Sequence, residues 1–244
     1  TRATIAKEKG LEPLANLILL QKMTVSPLEE AKNYVNPEKE VATPEEALNG
    51  AKDILAEGIS DNADFRTHIR ELTMKHGQLL SAAKDPDAES VYEMYYDFSE
   101  PVKYLKHYRC LAINRAEKES VISVKIEILL DKVTSWLESK IIKNANSFVV
   151  DTVKVSIKDS LKRLIIPSIE RDIRSKITSV SEEKAIETFS SNLYNLLLTR
   201  GIKGSNVIGF DPAFRTGCKL AVIDMNGNLL DIAVIYPHEP KNDK

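Results

Sequence analysis

"VIGFDPAFRTGCKLAVID", Val207–Asp224, decides how the chain is put together. "VIGF" is a short apolar run that ends at Asp211 and Pro212, and "CKLAVID" is a second run. Asn226-Gly227 comes next, a pair favoured at the two positive-φ positions of a type I′ hairpin, and "LLDIAVIY" is a third apolar run. The pattern predicts a three-stranded antiparallel meander. In that register Ala221, Ile223, Leu230, Ile232 and Val234 share one face, which needs a cover because three strands alone are barely stable. Asp211 is the residue of chemical interest. An acid at a strand's carboxyl end suits a metal-dependent nuclease, yet one carboxylate cannot hold a metal pair. The plainer expectation is that Asp211 starts a turn, its carboxylate accepting nearby backbone N–H groups.

Upstream of the meander most of the chain reads as helix. "SPLEE" offers Ser26 as N-cap, Pro27 in the first turn and Glu29 at the capping-box position. "TPEEALNGAKDILAEG" repeats the device with Thr43, Pro44 and Glu46, and Gly58 reads as its C-terminal stop. Ser60 is then expected to cap a helix through Phe65, Ile69 and Leu72, ending near His76-Gly77. Val150, Val153, Ile157, Leu161 and Leu164 form a helical stripe that Pro167 is expected to break. Ser179 and Glu182 suggest one more capping box, with Ile186, Phe189, Leu193, Leu196 and Leu197 as the buried face of that helix. "GQLLSAA" and "VISVKIEI" are β-biased and are expected to pair as a small ribbon. Gly201 and Gly204 mark the one clear linker.

Composition excludes several classes. With 43% hydrophobic and 29% charged residues the chain is ordinary globular protein, and its net charge of −2 creates no long-range field for nucleic acid or membrane. Any such surface has to be local. The two cysteines, Cys110 and Cys218, have no partner at metal spacing and fit a reducing, cytoplasmic setting. No apolar run is long enough to span a bilayer.

Longer blocks carry a resemblance. "RLIIPSIERDIRSKIT", "AIETFSSNLYNLLL" and the meander with its flanks closely resemble the Tex family of bacterial transcription accessory proteins. "GLEPLANLIL", "EEALNGAKDILAEGISDNADFR" and "YYDFSEPVKYLKHYRCLAINRAEKESV" agree with it, so the resemblance covers essentially the whole chain. It implies a larger protein with a helical region bearing a helix-turn-helix element, a YqgF domain of RNase H-like fold, helix-hairpin-helix motifs and a C-terminal OB-fold RNA-binding domain. On that map the chain is an internal fragment. Residues 1–200 are the central helical region, 201–206 a linker, and 207–244 the first three strands of a truncated YqgF domain. Two departures stand out: Ala213 where the family favours glycine after Asp-Pro, and Ala116 and Ser120 where it reads Arg-Gly-Glu-Lys-Glu-Gly. The first weakens a nuclease-like loop, because glycine there permits close backbone approach.

The fold class expected is mainly α (α+β), a multi-helix core with a small β ribbon followed by the meander. The basic cluster Lys162, Arg163, Arg171, Arg174 and Lys176 flanks Pro167 and is the candidate nucleic-acid-binding site. Its plainer reading is a solvated face with Glu170 and Asp172 interleaved, or an interdomain contact. Tyr92, Tyr95, Tyr96, Phe98, Tyr104 and Tyr108 are expected in the core, the first three at helical core spacing. His68, His76, His107 and His238 are scattered, with no metal spacing. The function expected is a non-catalytic structural core within a nucleic-acid-binding transcription accessory protein. It would bind RNA or DNA weakly, touch the transcription machinery, and need no cofactor, metal, membrane or small-molecule substrate. A nuclease centred on Asp211 and a protein-interaction scaffold are the alternatives.

Overall fold

The computed structural model describes residues 1–238; the polar tail at 239–244 lies outside the described residues. The chain separates into two compact units, Thr1–Ile186 and Glu187–Lys244. It is mainly helical with two three-stranded antiparallel sheets, as the sequence predicts.

The first unit opens with α1 (Arg2–Glu8), α2 (Glu12–Leu20), α3 (Pro27–Ala31), α4 (Pro44–Asp61) and α5 (Ala63–His76). Ser26 Oγ accepts from Glu29 N and Thr43 Oγ1 from Glu46 N, so both expected N-caps form. Neither capping box closes, since Glu29 pairs with Lys32 and Glu46 Oε2 accepts from Ala42 N. Two boundaries differ from expectation. α4 runs straight through Gly58, whose surroundings are open and whose backbone stays helical, and Ser60 is buried inside it. Asn62 is the true joint: it ends α4, and its Oδ1 accepts from Phe65 N to start α5. Leu14, Ile18, Ala47, Ala51 and Ile69 from these helices are fully buried.

A sheet in the order β2-β1-β3 follows, built from β1 (Gln78–Ala83), β2 (Asp97–Pro101) and β3 (Ile122–Glu127). The expected ribbon is the β1–β3 pair. β2 joins it from a stretch that reads poorly as strand, since Asp97, Glu100 and Pro101 break the alternation. A short 3₁₀ turn, Val102–Tyr104, leads from β2 towards α6 (His107–Lys118).

After α7 (Leu130–Ile141), α8 (Val150–Asp159) continues through a π-helical segment, Ser160–Ile165, into α9 (Ile166–Leu197). Pro167 therefore does not break the helix. Proline withdraws one N–H from the ladder and crowds the preceding turn, and the wider i→i+5 turn directly before it relieves both. The π segment also keeps the core stripe in line. Val153, Ile157, Leu161, Ile165, Ile169 and Ile173 recur every fourth residue and are all buried. In a pure α-helix that spacing drifts by about 40° per step, and the π turn takes up part of the drift. Beyond Ser181, α9 is exposed on every side. The stripe Ile186, Phe189, Leu193, Leu196 and Leu197 is thus amphipathic in pattern but not buried, and no new helix starts at Ser179. The periodicity shows only that the face is apolar; among the described residues nothing lies over it.

The second unit carries the meander: β4 (Val207–Asp211), β5 (Cys218–Ile223) and β6 (Leu229–Ile235), in the order β4-β5-β6. The hairpin after β5 is not type I′. Only Gly227 has positive φ, at 85°, and Gly227 N bonds Asp224 O at 3.0 Å, a type I turn with a following left-handed glycine. Asp224 explains the choice. Its Oδ1 accepts from Asn226 N and Asn228 N at 2.8 Å each, and Oδ2 from Asn228 Nδ2, which holds its carboxyl below the usual range. The face expected to need a cover is open: Leu230, Ile232 and Val234 are exposed, and so are Ile208 and Phe210 on the other side.

Candidate nucleic-acid interface

The rod formed by α8, the π segment and α9 positions the basic cluster, and the structure sorts its five members by their partners. Arg163 is an internal tie. Its Nη2 reaches Asp53 of α4 at 2.9 Å and Asp159 at 2.6 Å, while Nε also bonds Asp159. Hydrogen bonding to Asp159 pushes its pKa further above the ordinary range, against a smaller opposing effect of burial. Arg174 is also a tie: its Nη2 donates to Glu117 Oε2 at 2.5 Å and to Asn114 Oδ1 at 2.8 Å, both on α6.

The interleaved acids are engaged as well. Asp172 receives Arg70 of α5 at 3.0 Å, and Glu170 Oε1 accepts from Ile126 N of β3 at 2.7 Å. Arg66 of α5 donates to Ser168 Oγ at 2.5 Å. These contacts tether the rod to α4, α5, α6 and β3. What they leave over is cationic: Lys158, Lys162, Arg171 and Lys176 are exposed and have no ion pair among the described residues. The six cations and three acids from Lys158 to Lys176 are sorted in space. Acids are drawn into internal ties, and lysines and one arginine stay in solvent.

Asp211 sits apart from this. It is exposed at the end of β4, across from Lys219 of β5 in the strand register, and its carboxylate makes no hydrogen bond among the described residues. The expected turn-capping role is taken instead by Asp224 in the next hairpin. Among the described residues no three His, Cys, Asp or Glu side chains converge on a common point. An amine opposite the carboxylate favours an ion pair over a cation site. Cys110 and Cys218 are both buried, free thiols. His68 stacks on Trp136 at 3.9 Å between ring centroids, a packing role.

The aromatics divide in a way the sequence did not suggest. Tyr92 and Tyr95 are buried, Tyr96 and Phe98 pack against the core, but Tyr104 and Tyr108 are 63% and 66% exposed. One signal was available: from Pro101 to Ala116 the chain contains no acid, while Lys103, Lys106, Arg109 and Arg115 fall within it.

Comparison with known proteins agrees with this architecture. Residues 22–189 match the Tex central region-like family and residues 205–244 the Tex protein YqgF-like domain. The Bacillus subtilis protein YdcI is 50% identical over 99% of this chain and 34% of its own length. Protein tex of Bordetella pertussis is 33% identical over 100% of the chain and 33% of its own length. The human S1 RNA-binding domain-containing protein 1 is 32% identical over 98% of the chain and 25% of its own length. The chain thus spans a quarter to a third of these relatives. A helical core followed by a YqgF-like meander is the arrangement of a Tex central region joined to its YqgF-like domain. The chain belongs to the Tex family. No helix of the described residues is long and apolar enough to cross a membrane.

Proposed function

We propose that this chain is a non-catalytic scaffold within a nucleic-acid-binding transcription accessory protein, and that it touches the phosphate backbone weakly through the rod around Pro167. The observation that supports this reading is the sorting of charges. Lys162, Arg171 and Lys176 are exposed without ion pairs, whereas Arg163 and Arg174 hold the rod to α4 and α6. Contact of this kind reads no sequence and depends on salt. A working place in the cytoplasm, beside the transcription machinery, fits the same reading.

Reversal of the three exposed cations tests it. The triple variant Lys162→Glu, Arg171→Glu, Lys176→Glu is expected to lose binding to a fluorescent single-stranded 12-mer at low salt. Its thermal transition should stay within about 1 kcal/mol of the parent, as is usual for solvated positions. Unchanged binding would make these cations part of a solvated or interdomain surface. A second reading is favoured by one observation, the exposed apolar stripe Ile186, Phe189, Leu193 and Leu197 on α9: the chain would then serve as a protein-interaction platform. Absence of nucleic-acid binding by the parent at low salt would select it.

A further inference from the structure

We propose that the segment "KYLKHYR", Lys103–Arg109, is a second nucleic-acid contact, a stacking platform for unpaired bases of a single strand. The proposal rests on the nucleic-acid reading above for its class of partner, but on different residues for its site. Tyr104 ends the 3₁₀ turn after β2, and Tyr108 lies in the first turn of α6. Both rings stand mostly in solvent, which is unusual for two large aromatics four residues apart in a chain that buries Tyr92 and Tyr95 nearby. Each ring has a cation against it. Lys103 Nζ lies 5.3 Å from the Tyr104 centroid, and the Arg109 guanidinium 5.8 Å from that of Tyr108 and 6.0 Å from Phe98.

Arg109 is itself fixed, its Nη1 donating to Glu100 Oε1 at 2.9 Å, and Glu100 is largely buried. The Tyr108 ring therefore rests on an anchored support. Lys103, Lys106 and His107 are exposed around the rings. The 3₁₀ turn packs against α5, whose last turn adds exposed Lys75 and His76. The first turn of α6 has neither a side-chain cap nor an acid, so its backbone donors add to the same positive surface.

Charge and shape select the partner. Exposed rings flanked by cations, with no acid from Pro101 to Ala116, match a ligand that offers flat π faces and phosphates together. A duplex keeps its bases stacked inside, so the rings have nothing to receive. A single strand exposes them. Four residues separate the tyrosines, which places their Cα atoms within about 14 Å, the reach of a few successive nucleotides.

Anisotropy titrations of the whole 244-residue chain with oligo(dT) and oligo(U) 12-mers and with a duplex test the assignment. Loss of one stacked base weakens binding by roughly five- to one-hundred-and-fifty-fold. Tyr104→Ala/Tyr108→Ala is therefore expected to weaken single-strand binding at least about tenfold, leaving the salt slope and the duplex affinity unchanged. Tyr104→Phe/Tyr108→Phe, which keeps the rings, should bind like the parent and guards against misfolding of the alanine pair. Lys103→Gln/Lys106→Gln should instead make the salt slope shallower by about 1.4, at 0.7 per phosphate contact on a single strand. Parent-like affinity of the alanine pair would overturn the proposal while leaving the cluster around Pro167 standing, provided the triple reversal still abolishes binding. Equal losses for duplex and single strand would also overturn it. If the parent binds neither strand nor duplex, both readings fall together.

Discussion

Replacing Gln21 by alanine should lower the stability of the helical unit by about 3 kcal/mol. Gln21 ends α2 in the left-handed region, at φ 55°, and is only 3% exposed. Its side chain closes the end of α7, 120 residues away: Nε2 donates to Ile141 O at 2.7 Å, and Oε1 accepts from Lys143 N at 2.9 Å and Asn144 N at 3.1 Å. A helix end has orphan carbonyls, and the chain leaving it has orphan N–H groups. One amide satisfies both kinds. Truncation leaves one buried backbone carbonyl and two part-buried N–H groups unpaired, the buried one costing about 1–3 kcal/mol and the others less where water reaches them. A fall of some 6–12 °C in the thermal midpoint is expected, at about 2–4 °C per kcal/mol for a unit of this size. Gln21→Gly separates the causes, because it loses the same bonds while relieving the left-handed backbone by about 1 kcal/mol. Glycine should therefore be the milder of the two. Alanine and glycine variants both as stable as the parent would show that the amide closes nothing.

Gly77→Ala should be comparably damaging, for a reason unrelated to backbone dihedrals. Gly77 follows α5 with φ −72° and ψ 160°, which any residue adopts. A Cβ there would lie 2.6 Å from Thr73 O, 2.8 Å from Thr73 Cγ2 and 3.0 Å from Glu127 O. Two of those atoms are backbone, and the nearer of them, Thr73 O, is already committed. Thr73 O accepts from Gly77 N at 2.7 Å, and Gly77 O in turn accepts from Val102 N at 3.0 Å. The helix end, the edge of β3 and the turn after β2 therefore meet at one point with no room for a methyl group. Overpacking of this kind costs about 1–3 kcal/mol, towards the upper end where backbone has to move. Circular dichroism melts should show a drop of about 4–10 °C. The exposed glycine Gly58, with nothing near its Cβ position, is the control: Gly58→Ala should raise stability by up to about 1 kcal/mol, since it replaces glycine inside a helix. A Gly77→Ala protein that melts with the parent would mean that the junction is not close-packed.

Much of the fold was legible because its signals are local. Ser26 and Thr43 cap as their spacing requires, and the alternation in "VISVKIEI" marks β3. The failures have physical causes. Pro167 looked like a terminator because proline removes an N–H, but a preceding π turn absorbs that loss, and nothing in short-range spacing announces it. The stripe on α9 was apolar as read, yet burial depends on a neighbour that periodicity cannot supply. The basic cluster was visible as a list, but its division was not. Arg163 meets Asp53 across 110 residues and Arg174 meets Glu117 across 57, so the separation into ties and free cations arises only from tertiary packing. Tyr104 and Tyr108 are exposed although Tyr92 and Tyr95 are buried, because aromatic spacing does not say which rings find a neighbour in the fold.

The central claim, weak nucleic-acid contact without catalysis, is tested most directly by following labelled single-stranded RNA and DNA with the 244-residue chain in Mg²⁺ or Mn²⁺. Binding and strand length are read from the same samples across a salt series. The account predicts intact strands and a dissociation constant no tighter than the ~10⁻⁴–10⁻⁶ M of non-specific binding. It also predicts a log–log salt slope of about −1.4 to −2 for two or three phosphate contacts on the rod, steeper if Lys103 and Lys106 join them. Metal-dependent cleavage that disappears in Asp211→Asn would contradict it and restore the nuclease reading, and so would the absence of any salt-sensitive binding.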